Sequence, residues 1–385
     1  MREVAIIGIG QTPIKEHWEK SLRELAGEAI FAAMEDAQIN SIDGLFIGNM
    51  MSGSANHQQH LGAYIADWAG LNYIEGYKVE SACSSSAAAF RASVMAVASG
   101  ELDTVIALGV EKMTDSPGSE ITAELATAAD ADWEVDNGIS FVALNALIMQ
   151  RYMFEYKWSK DSFSQFAINA HQNGFHNPNA RFQKAISYDE YIRSPIISDP
   201  ITLLDASPIG DGAAAVVVVP LEKAKSNNSN PCVKVIASSA ATDTISVHNR
   251  SAPLWLTAAE KSSKAAYAQC GCNPADIDVF EAHDAFTIMA CLSLEASGFA
   301  EPGKGPQLAM DGEINRNGKM PISTFGGLKS RGHPVGATGL YQLVELTQQL
   351  RGTAGEMQVQ DARIGMTQNI GGSGSNIITH ILKSE

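Results

Sequence analysis

The chain alternates between short, wholly apolar runs and longer stretches in which apolar residues recur every three or four positions. The first pattern reads as buried strands, the second as helices packed on them. Glu3 to Ile9 is such a strand. A helix follows from Ser21 to Ala37 through Leu22, Leu25, Ala29, Ile30 and Ala33, with Ser21 and Glu24 as a capping box. Strands are expected at Leu45 to Met50 and Thr104 to Val110. Between them, Val79 to Gly100 sets Cys83 and three serines ahead of a run of alanines with Phe90, Val94, Met95 and Val97. That run is apolar on nearly every side, which predicts a buried helix ended by Gly100. From about Lys112 to Ser198 most of the aromatics appear, with helical periodicity at Phe141 to Tyr156 and Lys160 to Asn173 and little strand signal, so a helical insertion is expected. The strand Ala213 to Val219 resumes after the glycine turn Ile209-Gly210-Asp211-Gly212.

Lys223 to Pro231, rich in Asn and Ser, reads as a linker. It divides an N-terminal half, residues 1–225 with the insertion at about 112–198, from a C-terminal half, residues 231–385. In the second half the order returns: strand Val233 to Ser238, helix Thr257 to Cys270, strand Ile277 to Glu281, a helix, a strand, helix Ala337 to Leu350, then strands Ala362 to Gln368 and Asn376 to Ile381. Each half reads β-α-β-α-β-β with one buried helix late in it. The expected fold class is α/β, with two similar sheets packed through a shared central layer of helices.

Composition narrows the function. At 45% hydrophobic and 18% charged, the 385 residues suit a compact soluble protein. No apolar run reaches the roughly 18 residues of a membrane span. The start MREVAIIGIG enters a strand without the h-region of a signal peptide, so a cytoplasmic location is expected. A net charge of −16 argues against nucleic acid as a partner, while a few local cations or backbone amides still suffice for an anionic ligand. Five irregularly spaced cysteines form no disulfide framework, and the lone C-x-C of Cys270 and Cys272 lacks the second pair of a zinc site. Cys232 and Cys291 read as core. His57 and His60 have no further ligands beside them and read as a solvated helix start, so no metal is expected. Gly8-Ile9-Gly10 opens like a dinucleotide fingerprint, but Pro13 stands in place of the third glycine and argues against NAD.

Candidate chemistry centres on Cys83. A thiol in the first turn of a buried helix feels the positive end of the helix dipole and unpaired N–H groups, which favour the nucleophilic thiolate. Simple packing is the default for a lone cysteine, but three C-terminal stretches weigh against it. His283-Asp284-Ala285-Phe286 follows a strand directly, where functional side chains are commonly presented. Gly326 to Gly339, GGLKSRGHPVGATG, holds His333 before Pro334 among glycines. Asn369-Ile370-Gly371-Gly372-Ser373-Gly374 turns between the last two strands and offers the backbone N–H groups an oxyanion hole uses.

In this order the motifs resemble the thiolase superfamily over essentially the whole chain. The Cys83 segment corresponds to the family's nucleophile helix, and Ser207-Pro208-Ile209-Gly210-Asp211-Gly212-Ala213-Ala214 to its strand after the inserted loop domain. His283-Asp284-Ala285-Phe286 stands where many thiolases have Asn-Glu-Ala-Phe, Gly332-His333-Pro334 is the family's Gly-His-Pro, and Asn369-Ile370-Gly371 takes the place of Cys-x-Gly. The histidine-bearing motif with Gly326-Gly327-Leu328 is similar to the sterol-carrier-protein-type thiolases and their archaeal acetoacetyl-CoA relatives. Two positions depart from the pattern. Glu80 replaces a common Asn, and Asn369 replaces the second cysteine that shuttles a proton in most relatives. An amide cannot do that, which points to His283 as the base.

The resemblance implies a five-layered αβαβα sandwich of duplicated βαβαββ halves and an acyltransferase of lipid metabolism and the mevalonate pathway. Its substrates are CoA thioesters, with no tightly bound cofactor. It implies that His333 takes the proton of Cys83, that acetyl-CoA acylates the thiolate, and that the N–H groups of Cys83 and Gly371 hold the oxyanion. A second acetyl-CoA then forms acetoacetyl-CoA, its enolate held by His333 and His283. A homodimer built on the nucleophile-half sheet, or a dimer of dimers, is also implied, as is a possible complex with HMG-CoA synthase and an OB-fold zinc-ribbon protein. The sparse basic residues of the insertion fit a CoA site completed by a partner, and Lys329 and Arg331 read as solvated loop charges or a phosphate contact. Three rivals remain: a degradative 3-ketoacyl-CoA thiolase for longer or branched chains, a retro-aldolase of the same fold, against which Cys83 counts, and a lipid-binding or scaffolding subunit.

Overall fold

A computed structural model of the chain describes residues 1–227 and 230–385. The N-terminal half runs β1 (Val4–Gln11), α1 (Leu22–Ala37), β2 (Gly44–Gly48), α2 (Leu61–Trp68), β3 (Glu75–Val79), α3 (Ser85–Ser99) and β4 (Val105–Glu111). The insertion holds α4 (Gly118–Ala126), α5 (Phe141–Tyr156), α6 (Ser164–Gly174), α7 (Tyr188–Ile192) and the hairpin of β5 (Ile196–Ser198) and β6 (Ile201–Thr202). It returns to β7 (Gly212–Pro220) and α8 (Leu221–Asn227). The C-terminal half comprises β8 (Val233–Thr242), α9 (Thr257–Cys270), β9 (Val279–Glu281), α10 (Thr287–Ala296), α11 (Gly305–Met310), α12 (Thr338–Arg351), β10 (Ile364–Gly371) and β11 (Asn376–Ser384). Helix α8 occupies much of the expected linker; Asn228 and Ser229 of that stretch lie outside the described residues.

The duplication is explicit in the strand order β3-β2-β4-β7-β1-β8-β11-β10-β9. Outward from the middle, β1-β7-β4-β2 is matched by β8-β11-β10-β9, with the innermost two pairings of each half antiparallel and the next parallel. Where β3 extends the first half, the second has only a bridge between Phe280 and Ile322, so the strand expected before α12 shrinks to a single pairing. The two similar sheets expected from the sequence are continuous with each other. Val4 to Ile6 pair antiparallel with Val233 to Val235, joining the halves into one nine-stranded sheet. Both joined strands would otherwise present unpaired N–H and C=O groups along an apolar edge.

Helices α1 and α2 cover the N-terminal strands, α9 backed by α10 covers the C-terminal ones, and α3 and α12 lie between the halves, giving five layers. Gly8 and Gly10 serve this packing: a Cβ at either would stand 2.2 or 2.3 Å from a carbonyl oxygen of α1. Gly339 likewise admits α3, since a Cβ there would stand 2.6 Å from Ala87 N. Helix α3 is less enclosed than its composition predicts. Its inner face is buried, but Met95 is 52% exposed. Where spacing gave no disulfide framework, the structure joins Cys270 to Cys272 across Gly271, whose left-handed backbone brings their Cα atoms to 5.4 Å.

Candidate active site

Cys83 sits not in the first turn of α3 but in a tight turn just ahead of it, since the helix starts at Ser85. The turn is held from several sides. Ser84 N–H and Oγ both donate to Ser81 O, at 3.0 and 2.7 Å. Ser85 Oγ donates to Ala82 O at 2.6 Å. Ala82 adopts a left-handed backbone (φ 49°), a conformation that costs a non-glycine residue about 1 kcal/mol or more. Glu80 steadies it by accepting Ala82 N–H at 2.6 Å, which gives that departure from the resemblance a structural role.

The histidines arrive on loops tied to one another. Asp284 Oδ1 accepts Leu328 N–H at 2.7 Å, fastening the His283 turn to the glycine-rich loop. His333 N–H donates to Pro208 O at 3.2 Å, so the segment before β7 positions the second imidazole. His333 Nδ1 lies 2.7 Å from Thr338 Oγ1, at the start of α12. The two rings meet edge to face, centroids 5.1 Å apart. Asn369, on β10, donates through Nδ2 to Gln342 Oε1 at 2.8 Å and to His283 Nδ1 at 3.2 Å.

Cys83, His283 and His333 thus line one cavity of about 210 Å3, closed by Phe286, Met289 and Ile370 and by Phe141 of the insertion. The cavity opens past the C-terminal ends of the parallel strands β9 and β10, where α/β sheets commonly bind ligands. Gly371 is paired with Asn376 in the β10–β11 ladder. The amide that reaches the thiol is that of the next residue, Gly372.

The charge environment corrects one expectation. Burial, reinforced by the Glu111 carboxylate, pushes the Cys83 thiol up to about 12, against the pull of the Cys83 and Gly372 amides. Two unpaired N–H groups do not outweigh desolvation, so the thiol waits protonated. Burial lowers His333 to about 3 and holds His283 well below its ordinary range, with the Arg331 cation acting the same way on both. Both imidazoles are therefore neutral. Lys329 and Arg331, expected to be solvated or to meet phosphate, are buried instead: Lys329 Nζ donates to Asp205 O at 2.6 Å, and Arg331 pairs with Glu345 at 2.5 Å. The insertion covers their loop through Arg181 N–H and Phe182 N–H, which donate to Arg331 O and Ser330 O.

Two residues escaped the sequence reading. Glu111, fully buried at the end of β4, accepts from Asn49 Nδ2, Met50 N–H, Met51 N–H and Gly336 N–H at 2.8 to 3.0 Å, clamping the loop after His333 to the N-terminal half. Gln342 lies within α12. Glu111 closes one apolar run and Gln342 interrupts another, the one signal that could have marked them. Among the described residues, no three His, Cys, Asp or Glu side chains gather as metal ligands. None of the described helices is long and apolar enough to cross a membrane.

Comparison with known proteins agrees with this geometry. Residues 4–222 match the family described as thiolase, N-terminal domain, and residues 239–384 match thiolase C-terminal domain-like. The chain is 42% identical over 383 residues to an acetyl-CoA acetyltransferase of Methanothermobacter thermautotrophicus, covering 99% of both. It is 32% identical to sterol carrier protein 2 of Bos taurus, over 98% of this chain and 71% of that one. Among solved structures, the Ltp2-ChsH2(DUF35) aldolase superposes with a TM-score of 0.87 at 24% identity, covering 99% of this chain and 98% of that one, a likeness of fold.

Proposed function

Because this chain belongs to the thiolase family, we propose that it condenses two molecules of acetyl-CoA reversibly to acetoacetyl-CoA and CoA through an acyl group carried on Cys83. It is an enzyme, an acyltransferase whose substrates are CoA thioesters. The observation that carries the mechanism is the meeting of Cys83, His283 and His333, from three separate stretches of chain, on one cavity.

His333 takes the thiol proton as Cys83 attacks the thioester, and the concerted transfer suits a thiol that burial keeps protonated. The amides of Cys83 and the Gly371–Gly372 turn are the donors for the tetrahedral oxyanion. His283 faces the second thioester. A cavity of about 210 Å3 closed by Phe286 and Met289 favours a short acyl group over the longer chains of a degradative thiolase.

The homodimer on the nucleophile-half sheet has support in β3, the outermost strand there, and in the exposure of Tyr77 and Met95 beside it. The protein is proposed to work in the cytoplasm and to assemble with HMG-CoA synthase and an OB-fold zinc-ribbon protein; for a partner of some kind, support comes from the solved neighbour, whose name pairs Ltp2 with ChsH2(DUF35).

The test is thiolysis of acetoacetyl-CoA by free CoA. Wild type should be active, and Cys83→Ala should lose roughly 10⁴-fold or more. Cleavage of longer 3-ketoacyl-CoAs alone would replace this reading with the degradative one, and inactivity on both would refute it.

A further inference from the structure

With Asn369 in place of a second thiol, a carbon–carbon bond-forming cycle still has to remove a proton from the methyl group of acetyl-CoA. The hydrogen bonds around His283 bear on which group can do so. Gln342 Nε2 lies 3.1 Å from Glu281 O and 3.2 Å from Gln368 O, at the ends of β9 and β10. Backbone carbonyls only accept, so the amide of Gln342 has one permitted orientation, with Oε1 turned to Asn369. That oxygen in turn requires the NH2 group of Asn369, 2.8 Å away. The second hydrogen of the same NH2 group points to His283 Nδ1 at 3.2 Å. Reversing Asn369 would set two oxygens against each other, and reversing Gln342 as well would set its oxygen against two carbonyls. The relay holds although it leaves Asn369 Oδ1 without a partner.

Because Asn369 Nδ2 can only donate, His283 Nδ1 must accept, and the single proton of a neutral imidazole then resides on Nε2. With Nδ1 engaged, Nε2 is the nitrogen left for the cavity. His333 is arranged the other way. Thr338 Oγ1 lies 2.7 Å from His333 Nδ1 and 3.5 Å from Pro334 O; when its hydrogen goes to that carbonyl, Oγ1 accepts from His333 Nδ1–H and the Nε2 lone pair is left for the cavity.

We propose that Gln342 and Asn369 are positioning residues that hold His283 as a hydrogen-bond donor to the enolate oxygen, and that His333 Nε2 is the one base of both half-reactions. This rests on the acyl-Cys83 reading above. In the first half-reaction the Cys83 proton passes to His333 Nε2, the Cys83 sulfur–carbonyl bond forms, and the thioester bond to CoA breaks. The leaving CoA thiolate takes the proton from His333. In the second, His333 Nε2 takes the α-proton of a new acetyl-CoA while His283 Nε2–H holds the enolate oxygen. The carbanion bonds to the acyl carbonyl, the bond to Cys83 sulfur breaks, and the thiolate recovers the proton from His333. Two acetyl-CoA become acetoacetyl-CoA and CoA, with every proton returned. His283 as base, the expectation from the sequence, would need the opposite tautomer.

The test uses the full chain labelled with 15N-histidine, the His283 signals being assigned by their loss in His283→Gln. The proposal expects a protonated Nε2 and a bare Nδ1 in wild type; a proton on Nδ1 would overturn it. In Asn369→Asp, whose carboxylate cannot donate, the proton should move to Nδ1. Acetoacetyl-CoA formation should then fall about 100-fold, the scale of a lost oxyanion donor. Exchange of labelled CoA into acetyl-CoA, which needs Cys83 and His333 but no enolate, should fall far less. Parallel losses in the two assays would refute the assignment. His333→Asn should abolish both CoA exchange and wash-out of deuterium from the acetyl methyl, and surviving wash-out would sink the single-base cycle. A wild type that carries out neither reaction would refute the acyl-Cys83 reading, whereas the tautomer in the spectrum decides the relay on its own.

Discussion

Helices α3 and α12 hold equivalent places in the two halves, each following a turn that delivers a reactive group, yet they are built from opposite materials. Where α3 meets α12 its side chains are small, Ser86 and Ala87, with Phe90 and Val97 buried elsewhere along it, and Cys83 is aimed by hydrogen bonds in the turn before the helix. Helix α12 is buried over nearly its whole length and carries long polar side chains inward. Gln342 reaches two strand ends, Glu345 pairs with Arg331, and Gln349 Nε2 donates to Thr324 Oγ1 and Met357 O. Where the two helices touch, Ser86 Oγ accepts Leu340 N–H at 3.1 Å. A nucleophile whose position is set by a turn needs only close backbone approach. Groups that must hold a tautomer and a charge state need directional partners, and only long side chains reach them.

The largest expected effect is on acid stability. His283 is held well below its usual range, and His333 and His380, the last under α3 against Phe90, are lowered to about 3, each chiefly by burial. All three stay neutral in the fold while the unfolded chain binds their protons from about pH 6.5 downward, so stability is lost as pH falls. Glu111 and Glu281, raised to about 7 chiefly by burial, act oppositely and favour the fold as pH falls toward their unfolded value of 4.5. The two sets partly cancel between about pH 6.5 and 4.5. Below that the imidazoles, at about 1.4 kcal/mol per pH unit each, are joined by carboxyls held below their ordinary range, such as the buried Asp211. Urea unfolding across pH 7 to 3.5 should show a shallow decline and then a steep loss, with the steep limb reduced in His380→Gln. An even decline from pH 7 would contradict this balance.

Next in size, Arg331→Met should destabilise by about 3–5 kcal/mol, because it strands a buried Glu345. Adding Glu345→Leu should recover most of that loss in the same unfolding assay. If the double variant is no better than the single one, the pair is not what the α12 side depends on.

On the α3 side, Glu80→Ala removes a hydrogen bond to the left-handed turn and should cost only about 0.5–1 kcal/mol. It should nonetheless slow acylation of Cys83 by acetyl-CoA in a single turnover. Unchanged acylation would show that the turn keeps its shape without that contact. The smallest effect on the folded subunit is expected for Met95→Asp, within about 0.5 kcal/mol. Light scattering should find its mass halved, and an unaltered mass would remove the proposed dimer from this face.

Much of the fold was legible without coordinates, because strand and helix periods are local properties of the chain. Thr257 to Cys270 forms the expected helix, and the β1, β7 and β8 runs form strands within a few residues of their expected bounds. The stretches carrying Cys83, His283 and His333 stood out as well: Cys83 precedes three serines, His333 stands between glycine and proline, and His283 directly follows a strand. Glu111 and Gln342 did not, because a polar residue in or beside an apolar run has no visible partner until distant segments are brought to it. The electrostatics were misread for the same reason. The expected place of Cys83 in the first turn of a helix suggested a thiolate, and Lys329 and Arg331 in a glycine-rich loop suggested solvent or a phosphate contact. The sequence by itself determined most of the elements and which residues are candidates for the chemistry. Only the tertiary structure decided the joining of two half-sheets at β1 and β8, the depth at which each charge is buried, and which side chains come within hydrogen-bonding reach of each histidine. Those depend on desolvation and hydrogen-bond direction, which arise when residues far apart in the chain enclose one another.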